Sequence, residues 1–492
     1  MTAPVATRYE VVIGVEIHVQ LRTASKMFCA CSSDVRGAAP NSNTCPVCLG
    51  LPGALPVINR RAVEHVLATG LAIGASVPEV TRWDRKNYFY PDLPKGYQIS
   101  QYDLPLAAGG MLTVETADGT SEVAIRRAHL EEDTARLLHQ DAPGGGRLSL
   151  VDFNRSGIPL MEIVTEPVIT SAGGARRYAE ELRLLLLTIG ASEAQMEEGQ
   201  MRVEANVSLR PAGTTTLGTR VEAKNMNSFR SVERAIGYEV ERQARALDAG
   251  EALVQETRGW DDTRGETYRM RLKEESEDYR YFPEPDLPPL RTDGALIESI
   301  RASMPELPVA RRARYRDDLG LSAYDAAVLV GDGRATALFE GVLAVDAQLP
   351  AKRVANWVSG EFLRLAKTDG AGGDRVRAEE LAWLIGRVES GELSGNNAKQ
   401  VFERHFETGE AAAAIVAELG LRQISDTGAL GEVVGRVIAA NPQAVADYRA
   451  GKEQAVKFLT GQVMKETRGQ AQAQVVQRLL EEHLTAGGRG GE

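Results

Sequence analysis

The four cysteines of the chain fall in one short segment, and their spacing is that of a metal site. They form two pairs, C-x-C and C-x2-C, at Cys29, Cys31, Cys45 and Cys48. Paired thiolates suit a tetrahedral Zn²⁺ site, and four protein ligands leave no open position for catalysis. We therefore expect a structural zinc, with two disulfides or a redox-active Cys-x-x-Cys as the alternatives. Residues 1–10 lack the apolar core of a secretory signal, which favours zinc and a cytoplasmic protein.

Alternating segments supply a second set of candidate residues, in which polar side chains share one face of a strand. Apolar residues at every second position of residues 11–21 place Glu16, His18 and Gln20 together on the opposite face. Residues 201–210 alternate in the same way. Their polar face carries Arg202, Glu204, Asn206, Ser208 and Arg210. The pattern predicts two strands, each with one buried face and one polar face.

A shorter alternating segment at residues 220–224 places Arg220, Glu222 and Lys224 on one face. It follows the strand at residues 201–210 after a turn-rich stretch, so we predict an antiparallel hairpin. Side chains that face one another across a hairpin are within contact distance. Glu204 and Glu222 are therefore expected to lie close together.

Three consecutive acids at residues 131–133 indicate a cation site. In an extended segment, His129, Glu131 and Asp133 point to one side and Glu132 to the other. Crowded carboxylates raise one another's pKa, and a bound Mg²⁺ would relieve that repulsion. His18 is a less usual ligand for Mg²⁺ and could instead orient a carboxylate or a water molecule.

The alternative interpretation is that each polar face is only the solvent-exposed side of an antiparallel sheet. A plain solvent face tends to repeat Lys, Glu and Thr. These four segments instead combine carboxylates, a histidine, an asparagine and basic residues, which favours a functional surface. The sequence contains neither a G-x4-G-K-[ST] loop nor a G-x-S-x-G elbow. ATP would therefore have to bind at a site that is unrelated to the standard phosphate-binding loop.

The composition is that of a multidomain globular protein. The 492 residues exceed the size of a single hydrophobic core, and 43% hydrophobic and 25% charged residues are ordinary for this class. No apolar run is long enough to predict a membrane span. The formal net charge of −11 argues against a general nucleic-acid coat, although a local basic patch can still bind RNA.

The character of the sequence changes near residue 290, from strand-rich to helical. A proline-rich stretch at residues 281–289 predicts an extended connector, and a second break is predicted near residues 408–410. Spacing of apolar residues predicts a helix over residues 454–482. Basic residues surround its apolar stripe, among them Lys452, Lys457 and Lys465. Such lysines are ordinarily a solvated face, and RNA binding is the alternative.

Several long motifs resemble the GatB/GatE family, which includes the GatB component of bacterial aspartyl/glutamyl-tRNA amidotransferases. The resemblance runs essentially from end to end of the chain. The matching blocks are residues 15–21, 87–101, 129–133, 152–160, 196–199 and 278–286 and, in the tail, residues 441–442, 451–452 and 458–465.

This resemblance implies an α+β fold in three parts. A cradle domain with an antiparallel sheet would span residues 1–293, an all-helical domain residues 294–407, and a small helical YqeY-like tail residues 408–492. The implied activity is an ATP-dependent, glutamine-hydrolysing amidotransferase. ATP would phosphorylate the side-chain carboxylate of Glu mis-attached to tRNA(Gln), or of Asp on tRNA(Asn), and ammonia would displace the phosphate. In the implied heterotrimer the amidase GatA releases the ammonia and the small subunit GatC braces the pair.

The family's metal and ATP site is implied at a specific set of positions. These catalytic residues are Glu16, His18, Glu131, Glu132, Glu204 and Glu222, of which all but Glu204 would be magnesium ligands. Neighbours of phosphate or of the aminoacyl end would be Asn206, Lys224 and Arg280. The lysines of the tail would hold tRNA. Two alternatives remain: a non-catalytic, zinc-containing tRNA-binding scaffold, and a free-standing carboxylate–amine ligase that uses free ammonia.

Overall fold

The computed structural model of the chain describes residues 8–116, 119–272, 279–369, 372–421, 427–450, 452, 454–467 and 471–486. Asp278 and Gly451 of the family-like motifs lie outside these residues. The chain separates into two compact units, Met1–Val309 and Ala310–Glu492. The division into three domains at residues 293 and 407 stays a prediction.

Strands dominate the first unit. In chain order they are β1 (Tyr9–Gln20), β2 (Val80–Thr81), β3 (Asp84–Asn87), β4 (Tyr97–Ser100), β5 (Ala107–Ala108), β6 (Met111–Thr116), β7 (Gly119–Glu132), β8 (Arg136–Asp141), β9 (Arg147–Asp152), β10 (Pro159–Thr165), β11 (Met201–Pro211), β12 (Val221–Met226), β13 (Glu256–Asp261), β14 (Glu266–Leu272), β15 (Phe282–Pro283) and β16 (Leu290–Arg291). The largest sheet has the order β14-β13-β12-β11-β1-β10-β7-β5, and β6 pairs with β7. Strand β1 therefore lies in its interior, which suits a segment with a strictly alternating pattern.

Three long helices cover the apolar face of this sheet. They are α1 (Arg60–Ala72), α2 (Ala172–Thr188) and α3 (Phe229–Asp248), and they contact β7, β6 and β11 respectively. Their apolar residues join those of β1 in one buried core. Ser228 caps α3 by accepting a hydrogen bond from the backbone N–H of Ser231. Because the helices take one face, the polar side chains of the strands are left on the other.

The predicted hairpin is confirmed, since β11 and β12 pair antiparallel. Strand β1 pairs antiparallel with both β10 and β11, and β10 pairs antiparallel with β7. The only parallel pair in the described part of this sheet is β12 with β13. The proline-rich connector is extended at Phe282–Pro283, where the short strand β15 pairs with β3 beside β4, but it turns at residues 285–287.

Helices form the rest of the described chain, as predicted. They are α4 (Gly294–Ser303), α5 (Pro308–Asp317), α6 (Ala323–Val330), α7 (Gly333–Val345), α8 (Ala351–Asn356), a π-helix (Trp357–Phe362), α9 (Leu363–Thr368), a 3-10 helix (Gly372–Arg375), α10 (Ala378–Glu389), α11 (Gly395–Thr408), α12 (Ala412–Leu419), α13 (Thr427–Ala440), α14 (Pro442–Arg449), α15 (Gln454–Glu466) and α16 (Ala473–Ala486). The prediction of one helix over residues 454–482 was wrong. Helix α15 ends before Thr467, which forms a turn. Among the described residues, no helix is both long and apolar enough to cross a membrane.

Candidate active site

The polar face of the large sheet brings predicted acids from separate strands into neighbouring positions. The strand register places His18 of β1 opposite Glu162 of β10, and Glu162 opposite His129 of β7. On the other side of β1, Glu16 lies opposite Glu204 of β11. Adjacent strands are only about 4.8 Å apart, so side chains in these rows contact one another. The face therefore carries a patch of titratable groups that spans neighbouring rows of the sheet.

His18, Glu131 and Glu162 lie at the centre of this patch. We call these three residues the acid–histidine cluster. Nε2 of His18 lies 3.3 Å from Oε2 of Glu162 and 3.8 Å from Oε1 of Glu131. One ligand atom from each residue lies within 4.8 Å of the others. His129 lies beside them, with Nε2 3.5 Å from Oε2 of Glu162. The arrangement offers two buried carboxylates and one imidazole to a single cation.

The carboxylates of this region are in an unfavourable environment for several negative charges. Burial raises the pKa of Glu131. Burial also raises the pKa of Glu16, and repulsion from Glu162 and Glu204 adds to it. Glu162 is the exception, because although burial opposes its ionisation, the hydrogen bond and charge of His18 and the ammonium of Lys86 hold its pKa low.

The two histidines respond in opposite ways to the same surroundings. Burial disfavours the imidazolium form of His18, but its hydrogen bond to Glu162 raises its pKa to about 9. Burial lowers the pKa of His129 to about 3, so its imidazole is neutral. In the protein alone, a proton on His18 therefore supplies positive charge at the place where a divalent cation would supply it.

A half-buried lysine and a group of tyrosines border the cluster. Nζ of Lys86 lies 5.0 Å from the centre of the Tyr279 ring. Burial by itself would lower the pKa of Lys86, but Glu131 and Glu162 raise it. Tyr279 contacts Tyr281 edge to face at 5.9 Å. This border combines positive charge with apolar rings, which is suited to anion binding with limited access of water.

The acids on the β11 side of β1 are partly neutralised. Nζ of Lys224 lies 2.8 Å from Oε2 of Glu204 and 3.7 Å from Oε1 of Glu222, so the hairpin does bring these two acids to one cation. Nδ2 of Asn206 donates to Oε1 of Glu16 at 3.1 Å. Oδ1 of Asn206 is buried without a hydrogen-bond partner among the described residues. That oxygen is placed to accept a hydrogen bond from a ligand.

Glu132 is not brought to the cluster. Its carboxylate accepts hydrogen bonds from Nζ of Lys95 and, at 3.0 Å, from the backbone N–H of Ile99. Neighbouring residues of a strand point to opposite faces, so Glu132 and Glu131 separate as the alternation predicts.

Asp133 is fully engaged by cations and an amide. Its carboxylate accepts hydrogen bonds from Arg155 at 2.8 Å, Arg202 at 2.7 Å and Gln20 at 2.7 Å. Burial alone would raise the pKa of Asp133, but the two guanidinium groups hold it well below its ordinary value. These contacts make Asp133 a structural anchor at the end of β7 and leave it less available to a metal.

The remaining predicted residues lie elsewhere. Arg280 is exposed and has a positive φ of 45°, and its carbonyl accepts a hydrogen bond from Nδ2 of Asn87 at 2.8 Å. The three tail lysines are exposed in the second unit. Nζ of Lys452 lies 3.0 Å from Oδ1 of Asp447, whereas Lys457 and Lys465 lie on α15.

The cysteine cluster has the dimensions of a tetrathiolate site. All four cysteines are free thiols, and one sulfur from each lies within 4.8 Å of the others. Sγ of Cys48 lies 3.5 Å from that of Cys29 and 3.7 Å from that of Cys45. Zn–S bonds of about 2.3 Å in a tetrahedron require S···S distances of about 3.8 Å, so the sulfurs present fit Zn²⁺. Gly50, two residues after Cys48, adopts a φ of 62°, a conformation that glycine permits without strain.

Sequence reasoning missed Glu162 and Lys86. Glu162 stands alone in a run of apolar residues in β10, a run typical of a fully buried strand. A single acid in such a run was the available signal, because a buried charge needs a partner. Lys86 directly precedes the aromatic and proline-rich segment at residues 87–101, and nothing in that pattern indicates that its charge lies near two acids.

Comparisons with known proteins cover nearly the whole chain. The model of the GatB/GatE catalytic domain matches residues 11–298, and that of the GatB domain matches residues 337–484. A relative from Moorella thermoacetica is 53% identical over 479 residues, which is 97% of this chain and 100% of the relative. One from Thermomicrobium roseum is 51% identical over 478 residues, 97% of this chain and 99% of the relative. Both relatives are named as a subunit of aspartyl/glutamyl-tRNA(Asn/Gln) amidotransferase.

Proposed function

This chain belongs to the GatB/GatE family, and from that premise we propose that it is the carboxylate-activating subunit of an aspartyl/glutamyl-tRNA amidotransferase. The observation that carries the proposal is the acid–histidine cluster, which lies within the region matched by the catalytic-domain model. Its substrates would be Glu-tRNA(Gln), Asp-tRNA(Asn) or both.

The reaction has two steps, and the first converts a carboxylate oxygen into a good leaving group. A carboxylate oxygen is a poor leaving group, so one oxygen of the substrate side chain attacks the γ-phosphorus of ATP and ADP departs. Ammonia then attacks the carbonyl carbon of the acyl phosphate, and phosphate leaves to give the amide. Phosphoryl transfer depends mainly on positioning and on neutralisation of charge, which a cluster of acids around a bound cation supplies.

The chemistry of the donors fits Mg²⁺. The residues that would hold it are Glu16, His18, Glu131 and Glu162, which supply the hard oxygen ligands it prefers together with one imidazole. When bound, Mg²⁺ would supply charge neutralisation for the phosphates of ATP. His18 must give up its proton to act as a ligand, and that proton is the charge the cation replaces.

The surrounding residues have separate roles in the proposal. Lys86 places a positive charge beside Glu131 and Glu162, where phosphate oxygens would lie. Lys224 holds Glu204 and Glu222, and Oδ1 of Asn206 is placed to accept a hydrogen bond from substrate. Arg280 is retained as a contact to phosphate or to the aminoacyl end, because it is exposed in the segment that carries Tyr279 and Tyr281. We assign Glu132 to holding Lys95 rather than to the metal.

The proposed assembly is a heterotrimer with an amidase, GatA, and a small subunit, GatC. The amidase would release ammonia from glutamine, and delivery through protein would protect the acyl phosphate from water. The cysteine cluster would bind a structural zinc. The tail would contact tRNA through Lys452, Lys457 and Lys465.

The activity is tested by replacing acids of the cluster in the complete complex. With ammonium as the donor, Glu131→Gln and Glu16→Gln are each expected to lower ATP-dependent amide formation by at least about 100-fold. The affinity for tRNA should stay within about threefold, because the tail is untouched. Glu241→Gln, on the exposed side of α3, is the control and should retain full activity. Undiminished activity in both cluster variants would favour the non-catalytic scaffold.

The dependence of amide formation on the amidase partner is tested by comparing glutamine and ammonium as nitrogen donors. We expect the chain with its amidase partner to use either glutamine or ammonium, and the chain alone to use ammonium only. Use of glutamine by the purified chain alone would refute the division of labour between subunits. A chain that uses ammonium but cannot use glutamine even when the amidase partner is present would favour a free-standing ligase.

The tail is tested by charge reversal. The triple variant K452E/K457E/K465E should bind tRNA more weakly and reduce the slope of log affinity against log salt by about 2, since fewer counterions are released. Arg60→Glu with Arg61→Glu, on the exposed side of α1, is the charge-reversal control. A triple variant with unchanged affinity and salt slope would remove these lysines from the interface.

A further inference from the structure

A buried lysine lies against the cysteine cluster. The side chain of Lys26 has no exposed surface, and its Nζ lies 3.3 Å from Sγ of Cys48. The same Nζ donates to the backbone carbonyls of Asn43 at 3.0 Å and Phe153 at 3.3 Å. A buried ammonium is costly unless a negative charge accompanies it, and two carbonyls carry only partial charge. The sulfur of Cys48, as a thiolate, is the neighbouring group that can supply a full negative charge.

We propose that Lys26 is the counter-cation of a tetrathiolate metal centre, and that through Lys26 the metal positions the turn at residues 152–158. The inference rests on the zinc site of the proposed function. One Zn²⁺ with four thiolates carries a net charge of −2, so a buried centre of this kind needs positive charge close to its sulfurs. An N–H···S hydrogen bond from Lys26 provides that charge at Cys48.

The turn is joined to the cysteine segments at several further points. The backbone N–H of Asn43 donates to Oδ1 of Asn154 at 2.8 Å, and Oγ of Ser156 donates to the carbonyl of Cys48 at 3.3 Å. The backbone N–H of Met27 donates to the carbonyl of Gly157 at 2.7 Å. Lys26 is the contact that also touches a metal-ligating sulfur. Its ammonium therefore couples the metal to the turn directly.

One side chain of the turn, that of Arg155, connects the turn to the candidate active site by hydrogen bonds. Arg155 donates to Oδ2 of Asp133 at 2.8 Å and to the carbonyl of Gly199 at 3.0 Å. Asp133 directly follows the last residue of β7, the strand that carries Glu131. Lys26 is thus a positioning residue, since it acts on the site through the turn and Arg155 and does not touch substrate.

The experiment uses the full-length chain loaded with Co²⁺ in place of Zn²⁺. Loss of a hydrogen bond to a thiolate raises the energy of its donor electrons, so Lys26→Met should shift the sulfur-to-cobalt charge-transfer band to lower energy. Competition with a chelator should show metal affinity reduced by about 10- to 100-fold. Lys367→Met, an exposed lysine on α9, is the matched control and should change neither property. Lys26→Gln provides the same comparison should Lys26→Met fail to fold.

Amide hydrogen exchange tests whether the metal orders the turn at residues 152–158 through Lys26. Removing metal from the wild-type chain should speed exchange of the amides in residues 152–158, and metal-loaded Lys26→Met should resemble the metal-free wild type there. An unchanged cobalt spectrum with affinity within twofold of wild type would overturn the counter-cation role. A wild-type chain that binds neither metal would overturn the zinc site and this inference with it, while the proposed carboxylate activation would stand.

Discussion

Glu131 of the acid–histidine cluster and Asp133 lie two residues apart in the chain, yet their carboxyl groups are in opposite electrostatic states. Glu131 and Asp133 are both buried. Burial raises the pKa of Glu131, whereas Arg155 and Arg202 outweigh burial and lower the pKa of Asp133. Burial alone thus does not mark an acid for catalysis. The local supply of cations decides whether it is a structural anchor or a place for an added cation.

The same comparison explains the role proposed for His18. Asp133 has two permanent guanidinium partners, so its charge is matched at any physiological pH. The cluster relies on a proton on His18 and on the ammonium of Lys86. A proton can leave when a divalent cation arrives, whereas a guanidinium cannot, and this difference supports the metal site proposed at the cluster.

The largest effect is expected from Glu162→Gln, the acid between the two histidines. It should lower the rate of ATP-dependent amide formation by about 1,000-fold, because it removes a ligand and the partner of His18. Titration with Mn²⁺, followed by electron paramagnetic resonance, should show metal affinity lowered by at least about tenfold. Asp133→Asn should bind Mn²⁺ within about threefold of wild type. Equal losses of Mn²⁺ affinity in both variants would remove the distinction between the two regions.

Asp133→Asn should instead reduce stability. Removing one partner of a buried ion pair leaves uncompensated charge, which costs about 3–5 kcal/mol. Denaturant unfolding of the first unit, Met1–Val309, measures the loss of stability. Asp262→Asn, at an exposed position, is the control. A variant as stable as the wild type would show that Arg155 and Arg202 do not depend on Asp133.

A smaller effect tests whether cation-paired acids behave alike outside the sheet. Oδ2 of Asp325 in α6 lies 2.6 Å from Nζ of Lys352, and although burial opposes this, that contact and Ser322 lower the pKa of Asp325. An acid with a lowered pKa stabilises the fold above its unfolded value of about 3.9 and loses that contribution as the pH falls through the folded value. Asp325→Asn should cost about 1 kcal/mol at pH 7, and the gap in melting temperature should close below about pH 4. A gap that stays constant from pH 7 to pH 3 would contradict this pairing.

The sequence predicted local features of the site better than its assembly. Alternation in β1 and β11 predicted which side chains share a face, because a strand has a period of two whatever it pairs with. The hairpin of β11 and β12 was also predictable, since the two strands are close in the chain. The placement of β1 between β10 and β11 was not, because it depends on pairing between segments more than 100 residues apart.

The residues that were missed show where local pattern fails. Glu162 faces His18 only because β10 lies beside β1, and nothing in its apolar surroundings indicates that neighbour. Lys86 lies in the small sheet of β3 and β4, and only the tertiary fold brings its charge near Glu131. Lys26 likewise has the character of an ordinary surface residue in sequence, and only the fold buries it against Cys48.

The most direct measurement follows the oxygen atoms of the substrate carboxylate. Glu-tRNA(Gln) labelled with ¹⁸O in its side-chain carboxylate would be converted by the complete complex with ATP and ammonium, and the released phosphate analysed by mass spectrometry. If the carboxylate is activated by phosphorylation, one ¹⁸O atom should appear in phosphate for each amide formed, because the attacking oxygen leaves with phosphorus. Unlabelled phosphate at full yield of amide would contradict the account.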